Sequence, residues 1–402
     1  MGLALSNATL QWHRPGALRF DALPPLSLYV HLPWCLRKCP YCDFNSHERA
    51  HGVDESLATA YLNALNADLE SALPLVWGRP VVSVFIGGGT PSLFTPAQIE
   101  RLISDLRARV PLDPGCEITL EANPGTFERD RFHGYRRAGV NRLSIGVQSF
   151  QDAQLQRLGR VHDAQQARAA VKEAASAFET FNVDLMYALP EQTVAELGVE
   201  LEAVLDLAPP HLSLYHLTVE PNTRFAVEPP PVPDADLASD MLDLLVQRTA
   251  AAGYGRYEVS AYAQLGHACV HNRNYWEFGD YLGLGAGAHS KLSFPERVVR
   301  QVRWREPRRY LEESARGQAV SNGHDVAAAD LPFEFAMNAL RLADGVPVTR
   351  FSERTGLPVT ALSKAREEGV RRGLLVDDVA VLKATPRGFD FLNDTQALFL
   401  PG

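Results

Sequence analysis

The feature that most constrains the fold of this chain is an alternation. Six short apolar runs, rich in β-branched or aromatic residues, are separated by longer stretches with helical spacing. The runs are 26–31 (LSLYVH), 81–86 (VVSVFI), 117–121 (EITLE), 142–147 (RLSIGV), 181–186 (FNVDLM) and 211–217 (HLSLYHL), each bounded by turn residues or charge, as strands are. Between them, 56–73 places Leu57, Tyr61, Leu62, Leu65 and Leu69 at helical intervals. Residues 96–110 open on Thr95-Pro96 and carry Ile99, Leu102, Ile103 and Leu106, while 163–177 is alanine-rich and 193–207 repeats Leu and Val. Strands separated by helix-length crossovers pair in parallel with right-handed connections. The expectation is an α/β fold, a parallel (β/α)6 partial TIM-type barrel over 25–236, preceded by an N-terminal extension, 1–24.

A proline-rich stretch, 221–236, breaks the pattern and reads as a surface connector. Residues 237–330 then form a barrel extension: a helix at 237–252, a glycine- and aromatic-rich region at 253–294, and a strip at 297–316 with seven arginines, Trp304 and Tyr310. Residues 331–402 read as a separate, winged-helix-like α+β domain of two helices and a hairpin. A DNA-reading wing needs a positive face, and this tail balances nine basic against nine acidic residues. The whole chain carries 39 basic and 48 acidic residues, so nucleic acid is not the expected partner and a packing or partner role is. The N-terminus lacks the apolar core of a signal peptide, and no run reaches the ~18 apolar residues of a spanning helix.

Of five cysteines, three crowd into HLPWCLRKCPYCDFNSH, at Cys35, Cys39 and Cys42. An odd, crowded set is not a secreted disulfide framework, and it implies reduced thiols in a cytosolic setting. The C-x3-C-x2-C spacing gathers soft ligands in one loop directly after the first strand. Three assignments stand: a four-iron cluster with one iron left open to a small molecule, a zinc site completed by His31 or His47, or three buried thiols.

Ligands of parallel barrels gather at the C-terminal ends of the strands. The cysteine loop follows the first strand and Gly87-Gly88-Gly89-Thr90-Pro91 the second. Glu121 ends the third, Gln148 follows the fourth, Asp184 lies near the end of the fifth, and Thr218 and Glu220 follow the sixth. Glycines admit a ligand close to backbone, or simply make a tight turn. Glu121, Gln148 and Asp184 suit ribose hydroxyls or a cation, or ordinary loop capping. Arg160 suits a ligand carboxylate, or a surface ion pair.

The cysteine spacing is the signature of the radical SAM superfamily, and the likeness extends further. YVHLPWCLRKCPYCDFNSH, FIGGGTPSL, LEANPG, RLSIGVQSF, LGRVH and NVDLMYALP resemble the branch that holds oxygen-independent coproporphyrinogen III oxidase (HemN) and the HemW heme chaperones. The resemblance covers roughly 24–395. It implies a radical SAM barrel with a [4Fe-4S] cluster on Cys35, Cys39 and Cys42 and S-adenosylmethionine chelated at the open iron. It also implies S-adenosylmethionine contacts from Tyr29, Tyr41, Gly88, Gly89, Thr90, Glu121, Gln148, Arg160 and Asp184.

Two departures separate the two kinds of protein. The oxidase carries a further cysteine two places after the third, where this chain has Phe44. The chaperones carry H-N-x-x-Y-W, which His271-Asn272-Arg273-Asn274-Tyr275-Trp276 fits. The resemblance therefore implies heme as cargo, with His271 as its ligand and Tyr275 and Trp276 walling the porphyrin. On chemistry alone His271 is equally a core histidine. Cys269 is read as a second thiol near heme or a small buried hydrophobe, and the arginine strip as a partner for propionates or lipid heads or as a solvated strand. The implied acceptor is a membrane respiratory haemoprotein, which brings with it peripheral contact at the inner membrane face and ligand-linked dimers. The alternative function is oxidative decarboxylation of coproporphyrinogen III.

Overall fold

A computed structural model describes residues 18–125 and 131–401. The six runs become β1 (Leu26–Leu32), β2 (Val81–Gly88), β3 (Leu112–Ala122), β4 (Arg142–Gln148), β5 (Thr180–Tyr187) and β6 (His211–His216). They pair in chain order, every pair parallel. Helices α1 (Glu55–Val76), α2 (Pro96–Arg107), α3 (Phe132–Ala138), α4 (Ala164–Ala177) and α5 (Val194–Leu205) make the crossovers. Strands covered on both faces read as near-continuous apolar runs, and Leu28, Val30, Ile86, Leu120, Ile145 and Val183 are all buried in one core. Three crossover helices begin with reciprocal capping boxes, Thr95 with Gln98, Asp163 with Gln166 and Thr193 with Glu196, which satisfy N–H groups that the helix start would otherwise leave bare. The proline-rich connector contains one short helix, Arg224–Val227, before α6 (Ala235–Ala251).

The sheet does not stop at six strands. Ala261–Ala263 (β7) pairs antiparallel with β6 at one edge. At the other, Asp280–Leu284 (β8) adds a further parallel strand beside β1. It is followed by β9 (His289–Phe294), β10 (Arg297–Arg303) and β11 (Val320–Asp325), all antiparallel. The glycine-rich stretch hid β8. A Cβ at Gly283 would lie 2.1 Å from the His289 carbonyl oxygen, so the glycine that spoils the strand pattern is what admits the neighbouring chain.

Buried charges pin this second half to the barrel. Asp280 accepts from Arg79 (2.8 Å), Lys291 (3.0 Å) and the Ser293 N–H (2.8 Å). Asp68 of α1 meets Arg303 of β10 at 3.2 Å, both without exposed side-chain surface, and also accepts from Tyr310 Oη.

In the tail, two-residue strands Val346–Pro347 and Val381–Leu382 form a minimal antiparallel pair beside helices Thr349–Thr355 and Ser363–Arg371. Phe335, Phe351, Leu362 and Leu382 share one apolar cluster with Phe278 and Val298 of the barrel extension. Among the described residues, no helix is long and apolar enough to cross a membrane.

Candidate functional site

At the C-terminal ends of the parallel strands a cleft of about 930 Å³ opens. Its walls bring together Cys35, Cys39 and Cys42 with Tyr41, Gly88, Gly89, Thr90, Glu121, Gln148, Arg160 and Asp184. Residues expected from five separate strand ends therefore do share one site. Tyr29 does not join them; it lines the neighbouring cavity, its hydroxyl 2.9 Å from His31 Nδ1. Thr218 and Glu220 follow β6 but line neither space.

Each sulfur has a polar neighbour. Thr90 Oγ1 donates to Cys35 Sγ at 3.5 Å, Arg160 Nη1 donates to Cys39 Sγ at 3.5 Å, and Cys42 Sγ lies 3.6 Å from Ser46 Oγ. Asn123 links the first two partners: its Nδ2 donates to Thr90 Oγ1 at 3.0 Å and its Oδ1 accepts from Arg160 Nη2 at 2.6 Å. Asn123 is a site residue that sequence reasoning did not single out, although it stands in the LEANPG motif directly after β3. Burial pushes the Cys35 thiol up, against the hydrogen bond from Thr90.

The glycine run is shaped by close approach. Gly88 has φ +122, and a Cβ there would lie 2.8 Å from the His31 ring; one at Gly89 would lie 2.6 Å from the Trp34 carbonyl oxygen. The Gly88 N–H donates to Glu121 Oε2 at 3.0 Å. Burial, with Asp184 nearby, raises Glu121 to about 8. Burial also raises Asp184 to about 6, although hydrogen bonds from Asn182 and Ser213 oppose the shift. Two buried carboxyls whose ionisation is resisted by burial would ionise more readily beside a positively charged group.

A zinc site is disfavoured by the histidines. His31 Nε2 lies 2.9 Å from the Asn45 carbonyl oxygen and Nδ1 faces Tyr29, so both ring nitrogens are engaged. His47 lines neither space and its Nε2 lies 3.3 Å from Asn45 Oδ1. Among the described residues no group of three His, Cys, Asp or Glu converges on a single ion. Three soft donors on one cleft, with neither histidine turned to complete a zinc set, fit the donor chemistry of an iron–sulfur cluster.

A second cavity, about 1350 Å³, adjoins the first and shares Phe44, Gly88 and Glu121 with it. His271, Tyr275, Tyr281, His289 and Arg305 line its far side. His271 sits on α7 (Val270–Trp276), whose start is held by Glu117: its carboxylate accepts from the N–H groups of Val270 and His271, both at 3.1 Å. The ring lies 5.0 Å from that of Phe85, and Nδ1 lies 3.1 Å from Ser83 Oγ. Nε2 has no hydrogen-bond partner among the described residues. Burial lowers His271 to about 3, which keeps the imidazole neutral and its nitrogen lone pair available.

Trp276 departs from expectation, while Cys269 follows the buried one of its two readings. Trp276 turns away from the cavity, against the tail core, with the Arg341 guanidinium 4.3 Å from its ring centre. Successive helix residues point about 100° apart, so Tyr275 and Trp276 cannot wall one flat ligand together. Cys269 is fully buried and bonded to Glu117 at 3.3 Å, which makes it part of the packing that supports α7.

The Radical SAM superfamily profile matches residues 29–204, and the HemN C-terminal domain profile matches 326–391. The chain is 46% identical over 380 residues to the heme chaperone HemW of Escherichia coli (strain K12), covering 94% of this chain and 99% of that protein. It is 35% identical over 390 residues to the mouse mitochondrial radical S-adenosyl methionine domain-containing protein 1, covering 93% and 87%. The solved structure of the radical SAM enzyme coproporphyrinogen III oxidase (HemN) from E. coli superposes with a TM-score of 0.80 at 25% identity, covering 94% of this chain and 90% of that one. The strand-end cleft, the matching profiles and near-full-length identity lead to one assignment: this chain belongs to the radical SAM superfamily and, within it, to the HemW family.

Proposed function

We propose that this protein is a heme chaperone. Cys35, Cys39 and Cys42 hold a [4Fe-4S] cluster, and S-adenosylmethionine lies in the cleft of Gly88, Gly89, Thr90, Glu121, Gln148, Arg160 and Asp184. When bound, the cluster supplies an open iron that coordinates the amino and carboxylate groups of S-adenosylmethionine. Arg160, held by Cys39 Sγ, Asn123 Oδ1 and the Gly146 carbonyl oxygen, sets a fixed positive charge beside an anionic group, while Glu121 and Asp184 gain their charge as a cationic guest enters. Heme occupies the second cavity with His271 Nε2 toward its iron and Tyr275 along its edge. From there it passes, in the cytoplasm, to a haemoprotein acceptor at the membrane.

One observation carries this reading: the cysteine cleft adjoins a cavity lined by a neutral histidine with a free ring nitrogen. The test is heme titration followed by absorption spectroscopy, with His271→Ala beside wild type. Wild type is expected to bind one heme with a nitrogen-ligand spectrum, and the variant to lose that spectrum. Identical spectra and affinities would remove His271 from the role. Anaerobically purified protein is expected to hold about four irons and four sulfides per chain, and to lose them when the three cysteines are changed to alanine. Catalytic formation of protoporphyrinogen from coproporphyrinogen III by the reduced protein would instead make it an oxidase.

A further inference from the structure

The arginine strip resolves into separate fates. Arg297 faces Asp325 at 3.9 Å and Arg300 bonds Tyr281 Oη and Glu334 at 2.7 and 2.8 Å. Arg303 is buried on Asp68, Arg308 pairs with Glu312, and Arg316 pairs with Glu313. Arg309 lies over the Trp304 ring, 3.5 Å from its centre. Arg305 alone of the seven lines the second cavity. It makes no ion pair among the described residues, and its two terminal nitrogens have no acceptor among them.

Yet Arg305 is not loose. Asn45 grips it twice: Asn45 Nδ2 donates to the Arg305 carbonyl oxygen at 2.9 Å, and Asn45 Oδ1 accepts from Arg305 Nε at 3.3 Å. Asn45 Nδ2 is itself tied to the Ala286 carbonyl oxygen at 2.9 Å. A Cβ at Gly287, where φ is +76, would come within 2.5 Å of that nitrogen, so the glycine keeps room for the clamp. Holding the guanidinium through Nε leaves the outer pair of nitrogens aimed away from the clamp, in the fork geometry that binds a carboxylate with two bonds. The remaining charges on the cavity wall do not satisfy it. Glu121 is already bonded to the Gly88 N–H and held largely protonated near neutral pH, and the exposed Asp43 makes no ion pair among the described residues.

We infer that Arg305 is the carboxylate-recognising residue of the second cavity, taking a propionate of the flat ligand whose iron faces His271. This rests on the reading of that cavity as a heme site and adds what selects the ligand there. Recognition then has two separable parts: His271 addresses the metal and Arg305 the acidic edge.

Free heme and its dimethyl ester, which lacks both acid groups, separate these parts. Each is titrated into full-length wild type, Arg305→Gln, Arg305→Lys and His271→Ala, in one solvent mixture. Wild type is expected to favour the free acid by roughly tenfold or more, the scale of a charge-assisted hydrogen bond. Arg305→Gln is expected to lose that preference while its ester affinity and heme spectrum stay unchanged, and Arg305→Lys to keep part of it. His271→Ala is expected to change the spectrum with both ligands and to leave the acid-to-ester ratio intact. An undiminished preference in Arg305→Gln, or equal weakening toward both ligands, overturns the assignment of Arg305 and leaves the chaperone reading standing. Failure of wild type to bind either ligand overturns the chaperone reading, and the assignment of Arg305 with it.

Discussion

At Gly89 an added methyl group would meet backbone at 2.6 Å, and at Gly88 it would meet the His31 ring in a left-handed conformation. Gly115 has nothing within 4 Å of its missing Cβ. Gly89→Ala is therefore expected to cost at least about 2 kcal/mol in urea unfolding and to abolish S-adenosylmethionine binding, with Gly115→Ala within about 0.5 kcal/mol of wild type. Equal stability of the two variants would show that the cleft backbone yields freely. The same site predicts a pH dependence. Glu121 rises from 4.5 to about 8 on folding because of burial and Asp184. Above the ordinary carboxyl value the unfolded chain loses a proton that the folded chain keeps. The folded state binds more protons, so this group's contribution to stability falls as pH rises toward about 8. Asp184 acts in the same sense over the window ending near 6. In cofactor-free protein, Glu121→Gln is expected to flatten the decline between about pH 6 and pH 8; a wild-type curve already flat there refutes the shift.

At the scale of elements, the crossover helices and the late strands are held by different means. The Thr193 cap closes a box at the start of α5, on a surface turn. Thr193→Ala is expected to cost about 1 kcal/mol by thermal unfolding, with heme and S-adenosylmethionine affinities unchanged. The Asp68–Arg303 bridge between α1 and β10 is buried, and Arg303 Nη2 already lacks a partner. Removing Asp68 would leave the buried Arg303 charge without its counter-ion, with only Nη1 still bonded, to Ser290 and Gln301, so Asp68→Ala is expected to cost about 3–5 kcal/mol. A loss below about 1 kcal/mol would mean that water reaches Arg303. Because β10 leads directly into Arg305, the same variant should loosen the far wall of the second cavity.

At the scale of the molecule, the tail and the barrel extension are coupled through one apolar cluster. Phe278 packs edge-on to Phe335 at 5.9 Å, and Phe335 packs on Phe351 at 5.3 Å. Phe278 follows α7, so tail packing and the placement of His271 share a support. Phe278→Ala is expected to cost about 3–5 kcal/mol, and a chain ending at residue 330 to expose Phe278 and Val298 and bind a hydrophobic dye. A truncated chain with native stability and no dye binding would show that the tail is an independent appendage.

Strand–helix alternation in the sequence was enough to specify the parallel core, because a strand buried on both faces must be apolar throughout and a crossover must be amphipathic. The three cysteines, Gly88-Gly89-Thr90, Glu121, Gln148 and Asp184 were legible for a related reason: strand ends in a parallel barrel share one rim, so order along the chain becomes proximity in space. Interactions that span distant segments were not legible. Asn123 linking the partners of two sulfurs, Trp276 turning toward the tail, Glu117 setting α7, and Arg305 alone among seven arginines reaching the cavity each depend on a pairing that no local pattern records. Periodicity determines which face of an element is buried. Only the packed molecule decides which polar groups find partners, and which one is left to meet a ligand.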